Sequence, residues 1–209
     1  MSEIKIGRMV VGAVQTNCYF LQNIETNQVV VIDPADKGGK IYEELTHRGY
    51  KIEAILLTHG HFDHVMGVDE LRRLSGAKVY LGRQEEKLIS NADLNVSAMF
   101  GTPYTTKADI MVQDGQVLEL AGMKIQVIHT PGHTEGSVSY YLEEEGILIC
   151  GDTLFLESVG RTDFPTSSTA QLRSSIREKL FLLPEDVYVY PGHGPTTTIE
   201  HEKENNPFV

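Results

Sequence analysis

The sequence predicts an α+β fold in which sheets are covered by helices, and three features point to it. Strand-type segments come in runs, with helical segments between only some of them, instead of a clean strand–helix alternation. Several runs, such as VVVI in NQVVVI and AILL in IEAILL, are apolar without alternation, the pattern of buried strands. The helical segments are amphipathic, each with one apolar stripe to lay against a sheet.

The elements follow in order. IKIGRMVVG and NCYFLQ carry branched, apolar content, and NQVVVIDP is a buried run ended by Asp33-Pro34. GGKIYEELTHRGY reads as a helix, with Ile41, Leu45 and Tyr42 at apolar positions and Gly49 as its stop. IEAILLTHG is the next strand. VMGVDELRRLSGA spaces Val65, Val68, Leu71 and Leu74 at helical intervals and halts at Gly76, before the short strand AKVYLG. Residues 84–106 lack clear periodicity: QEEKLIS reads as a helical turn, and NADLNVSAMFGTPYTT as a long loop of the kind that rims a site. QVLEL and MKIQVIH form a hairpin about Ala121-Gly122, followed by strands SVSYYLE and GILICGD. TAQLRSSIREKLFLLP places Leu172, Ile176 and Leu180 on one helix face, and DVYVY is a last strand.

At 209 residues the chain predicts one domain, 1–209, with a single sizeable core. Eighteen basic against 29 acidic residues give a net charge of −11, which argues against nucleic acid or an anionic membrane as partner. No stretch has the length of a signal peptide or a membrane span. The expectation is a reduced, cytoplasmic protein, with Cys18 and Cys150 as small buried hydrophobes.

Histidines and aspartates concentrate where strands end. His59, His61, Asp63 and His64 follow the run ending at Leu57; His133 follows the strand at 123–128; Asp152 follows ILIC; His193 follows VYVY. Each stands in a Gly- or Pro-marked turn, and strand ends on one rim of a sheet are neighbours in space. His59 and His61, two apart, point the same way from extended chain, while Asp63 and His64 come from the start of the next helix. Seven oxygen and nitrogen donors without a thiolate exceed one tetrahedral zinc and suit two divalent ions that share a carboxylate. His47 and His201 fit a helix end and a charged tail, and His129 reads as structural.

The motifs THGHFDHVMG, TPGHTEGS, ICGDTLF, GRTDFP and VYPGHGPTTTIEHEKENNPF, with the early VIDP, resemble the metallo-β-lactamase superfamily and, within it, short glyoxalase II-like hydrolases. The resemblance implies an αββα sandwich: two mixed β-sheets face to face, with helices on both outer faces. It implies that His59, His61 and His133 bind one metal, that Asp63, His64 and His193 bind a second, and that Asp152 bridges them. Zinc is the first expectation, with iron or manganese also compatible. Asp33 is expected either to orient a ligand histidine or to cap its own turn, and Asp63 to orient a metal-bridging hydroxide or pass on its proton.

The implied reaction is hydrolysis of a small-molecule thioester such as S-lactoylglutathione or a related 2-hydroxyacyl thioester. The glutathione-gripping C-terminal helical domain of full-length glyoxalase II enzymes is not expected here. Arg161 is open to two roles, gripping a substrate carboxylate or pairing with Asp163. The alternative activity is a persulfide dioxygenase, a mononuclear-iron oxidoreductase of the same superfamily with a similar GRTDF segment.

Overall fold

The computed structural model describes residues 3–209 and contains two six-stranded sheets packed face to face. The first sheet holds β1 (Ile4–Val11), β2 (Thr16–Asn23), β3 (Gln28–Ile32), β4 (Lys51–Leu56), β5 (Lys78–Gly82) and β6 (Ile110–Val112) in chain order. Its first pairings are antiparallel, and β3 through β6 run parallel. The second sheet contains β7 (Val117–Leu120), β8 (Met123–His129), β9 (Val138–Leu142) and β10 (Ile147–Gly151). A small hairpin, β11 (Leu154–Phe155) with β12 (Ser158–Val159), precedes β13 (Tyr188–Pro191) and β14 (Thr197–Thr198). The order is β14-β13-β10-β9-β8-β7, antiparallel except for β10 with β13.

The period-2 alternation of a strand explains how continuous apolar runs build three layers of core. Val30 and Ile32 of β3 face inward, where they meet Ile125, Val127, Tyr140 and Ile149 of the opposite sheet. Val29 and Val31 face outward, against Ile41 and Leu45 of α1 (Gly38–His47) and Val68 and Leu71 of α3 (Val68–Ser75). On the far side Leu148, Cys150 and Val189 are covered by Leu172 and Ile176 of α5 (Thr169–Glu178) and by Ile199 of α6 (Ile199–Asn205). The αββα sandwich is thus present, with both cysteines free and buried. No helix among the described residues is long and apolar enough to cross a membrane.

The expected helix over 65–77 is split. A four-residue α2 (Phe62–Val65) precedes α3, because the chain must turn at Gly67, whose N–H donates to Pro34 O at 2.8 Å. Gly76 closes α3 with φ +71, the left-handed stop its sequence position predicts. The segment QEEKLIS forms a 3-10 turn and α4 (Glu86–Ile89). β6, β11, β12, β14 and α6 go beyond the elements legible in the sequence. The two sheets are tied at one edge, where Val138 N–H donates to Thr58 O and the Tyr140 hydroxyl to Leu57 O, both at 2.8 Å.

Candidate metal centre

β4, β8, β10 and β13 deliver their following residues to one place at that edge. Beyond β4 the chain passes Thr58, His59 and Gly60 to His61, whose extended backbone opens α2; the first turn of that helix presents Asp63 and His64. Beyond β8, Gly132 (φ +141) sits against the backbone of Leu172, where a side chain would clash, and the turn exposes His133 inward. Gly151 (φ +50) ends β10 and aims Asp152. Gly192 follows β13 and lies so close to Asp152 and His64 that only hydrogen fits there; His193 comes next.

The donor atoms fall into three overlapping groups: His59, His61 and His133; His59, His64 and Asp152; Asp63, His64 and His193. Within each group they lie within 4.8 Å of one another. His61 Nδ1 is 2.9 Å from His133 Nε2. Asp152 reaches across, with Oδ1 3.4 Å from His64 Nε2 and Oδ2 3.6 Å from both His133 Nε2 and His193 Nε2. Asp63 Oδ2 is 3.2 Å from His193 Nε2.

The outward-facing nitrogens are held by the protein. Asp33, 2% exposed, accepts from Thr58 N–H at 2.8 Å through Oδ1, and from Thr58 Oγ1 at 2.7 Å and His64 Nδ1 at 2.9 Å through Oδ2. With its own proton committed to Asp33, the Thr58 hydroxyl accepts from His59 Nδ1 at 3.1 Å. His133 Nδ1 donates to Arg161 O at 2.9 Å. Each of these contacts leaves the opposite lone pair, on Nε2, pointing into the site, the tautomer a metal requires.

The residues fit a cation on two grounds. His59 Nε2, His64 Nε2 and Asp152 Oδ1 are buried with no hydrogen-bond partner among the described residues, a cost of about 1–3 kcal/mol each unless something satisfies them. The electrostatics also demand positive charge. Burial alone would lower the pKa of His64, but Asp152, Asp63 and Asp33 outweigh it and raise it well above the ordinary value. Burial lowers His193 too, and its hydrogen bond to Asp63, with Asp152 nearby, reverses the sign. Burial and neighbouring histidines hold His59 well below its usual value, and burial with His133 brings His61 down to about 3. Those rings are held neutral, the form in which a histidine can bind a metal, and divalent ions would meet the demand that protons meet on His64 and His193.

A cavity of about 410 Å³ opens over the donors, walled by Val14, Phe62, Phe100, Phe155, Val159 and Phe164. Phe100, from the loop expected to rim the site, stacks on Phe62 with ring centroids 4.6 Å apart. Of the two roles open to Arg161, the structure shows the ion pair. Its Nε and Nη2 hold both oxygens of Asp163 at 2.6 and 2.7 Å, and its guanidinium lies 3.8 Å above Phe164.

Fold and site together define a metal-dependent hydrolase scaffold, and the chain belongs to the metallo-β-lactamase superfamily, whose family description matches residues 11–193. It is a hydrolase of that superfamily. It is 40% identical to the probable metallo-hydrolase YqgX of Bacillus subtilis, covering 99% of this chain and 98% of that protein. It is 33% identical to the hydroxyacylglutathione hydrolase GloC of Haemophilus influenzae, over 95% of each. Among solved structures it resembles the BLEG-1 B3 metallo-β-lactamase (TM-score 0.94, 38% identity, covering 98% of this chain and 99% of that one). It also resembles TTHA1623 in a di-iron-bound form (0.86, 36%, 97% and 100%) and ETHE1 from Myxococcus xanthus (0.81, 28%, 97% and 83%).

Two residues that the sequence reading missed bear on the site. Thr58 lies just before the histidine run, and a hydroxyl directly after the apolar stretch AILL is itself a signal. Glu85 gave none, lying in a stretch without periodicity, yet it is fully buried beside the histidine loops. Burial pushes its carboxyl up to about 7, against the pull of hydrogen bonds with Thr134, Gly60 and Gly136.

Proposed function

We propose that the protein hydrolyses thioesters, S-lactoylglutathione or a related 2-hydroxyacyl thioester first among them, at a centre of two divalent ions. The observation that carries this reading is Asp152, whose two oxygens reach towards histidines of both donor groups, the arrangement of a carboxylate shared between neighbouring ions. His59, His61 and His133 would hold one ion, and Asp63, His64 and His193 the other; zinc suits the nitrogen-rich set, and iron or manganese also bind such donors. Ions bound there would supply hydroxide at neutral pH and polarise the acyl oxygen.

The reaction adds water at the thioester carbon and breaks the C–S bond, giving a carboxylic acid and a thiol. A thiolate is a good leaving group, so little general acid is required. Asp63 lines the cavity, where the carboxylate oxygen not turned to His193 would orient the attacking hydroxide or pass on its proton. Asp33 and Thr58 keep the His64 and His59 rings in the ligating tautomer. The Phe62–Phe100 stack shields the acyl group from bulk water. Arg161 lines the cavity, and its surface pair with Asp163 leaves it free to exchange that partner for a substrate carboxylate.

The likeness to GloC supports this reading, and the likeness to ETHE1 keeps persulfide oxidation as the second. The test is metal analysis of the purified protein, with turnover of S-lactoylglutathione and other acyl thioesters, and oxygen uptake with glutathione persulfide. Thioester cleavage that collapses, together with metal content, in Asp152→Ala is expected. Oxygen uptake without thioester cleavage overturns the proposal in favour of the dioxygenase.

A further inference from the structure

We infer that Glu85 is a positioning residue that sets the distance between the two histidine loops of the centre. Its carboxylate is fully buried and plays no part in the chemistry proposed above. Oε2 accepts from Gly60 N–H at 2.8 Å, and Gly60 stands between His59 and His61. Oε1 accepts from Gly136 N–H, also at 2.8 Å, in the turn that follows His133. The first loop leaves β4 in one sheet, the second leaves β8 in the other, and Glu85 itself comes from the turn after β5. One side chain therefore spans the seam between the sheets at the point where His61 Nδ1 and His133 Nε2 come to 2.9 Å.

The packing around this carboxylate is close. A Cβ at Gly136 would stand 2.6 Å from Glu85 N and 2.7 Å from Oε1, and a Cβ at Gly60 would stand 2.8 Å from Leu88 Cδ2. A side chain at either glycine would disturb this arrangement, and the two hydrogen bonds keep the loops from drifting away. The inference rests on the metal-centre reading for its effect on binding, while the clamp itself stands on the hydrogen bonds alone.

Glu85→Gln is the discriminating variant. It keeps the volume, but its single carbonyl oxygen accepts from one glycine while its amide group turns a donor towards the other's N–H. The expected result is a folded protein with wild-type circular dichroism. Its metal dissociation constant, measured by chelator competition, rises about tenfold or more, within the range for groups that support ligands from behind. The visible spectrum of the cobalt-substituted protein shifts, and hydrogen exchange quickens at Gly60 or Gly136. Unchanged affinity and spectrum in the folded variant overturn the inference. Should Glu85→Gln not fold, the wild type decides: slow exchange at both glycine amides supports the clamp, and fast exchange at either refutes it. If the wild type takes up no metal, the proposed function fails, and the same two amides still decide whether Glu85 joins the loops.

Discussion

Replacing Asp33 by Asn tests how the ligand histidines are held. The native carboxylate accepts three hydrogen bonds, from Thr58 N, Thr58 Oγ1 and His64 Nδ1, at 2.8, 2.7 and 2.9 Å. An asparagine offers one oxygen and two N–H donors. If its oxygen stays with Thr58 N–H, the amide nitrogen faces both the Thr58 hydroxyl and His64 Nδ1. The His64 ring then turns its Nδ1 lone pair towards the amide and carries its proton on Nε2, the atom aimed at the centre. Loss of a charged hydrogen bond in a buried site costs about 1.5–3 kcal/mol. A 10–100-fold loss of metal affinity, the usual effect of removing a supporting partner, corresponds to about 1.4–2.8 kcal/mol. The two routes agree, so Asp33→Asn should weaken metal binding about 10–100-fold in chelator competition, with hydrolysis falling in step at limiting metal. Wild-type affinity and turnover in a folded Asp33→Asn protein would refute the reasoning.

Three further outcomes follow from the geometry. Gly192→Ala forces a methyl against Asp152 Oδ1 and to within 2.7 Å of His64 Cε1, so metal content should fall at least tenfold while circular dichroism stays native; full loading would show that the turn yields freely. In the metal-free protein, His61 is held at about 3 against an ordinary 6.5, so its contribution to stability is present above 6.5 and lost as pH falls towards 3, by up to about 1.4 kcal/mol per pH unit. Urea unfolding of wild type and His61→Gln at pH 7.5 and 5 should show their stability difference moving in the variant's favour at the lower pH, and a constant difference sinks the assignment. Ile176→Ala empties a fully buried site between α5 and the second sheet and should cost about 2–5 kcal/mol in thermal unfolding, leaving metal stoichiometry of the folded protein intact.

Much of the architecture was legible because the long elements carry strong periodic signals. Leu172, Ile176 and Leu180 mark the buried face of α5 and its following turn, and the alternating layers of β3 follow from a run that is apolar throughout. The donor set was legible because each member comes from the loop or first helical turn beyond a strand, and four parallel or neighbouring strand ends meet at one edge. What escaped lacks such signals. β11, β12 and β14 are two residues each, formed because neighbouring backbone is already fixed. α6 has little apolar periodicity; it is held by Thr198, whose side chain accepts from His201 N, and by the buried Glu202, which accepts from Thr197 Oγ1 and Glu157 N. Glu85 escaped for a related reason: its partners are backbone amides 25 and 51 positions away, and no local pattern encodes them.

The stitches from Val138 to Thr58 and from Tyr140 to Leu57 use peptide and phenol groups that no cation needs. The berth is therefore laid down as the polypeptide folds, and arriving ions enter a cut lock instead of pressing a shape into clay. Stripping them with a chelator should leave the outline of this rim intact, and reloading should be limited by the ions shedding their hydration water, not by the chain finding its form.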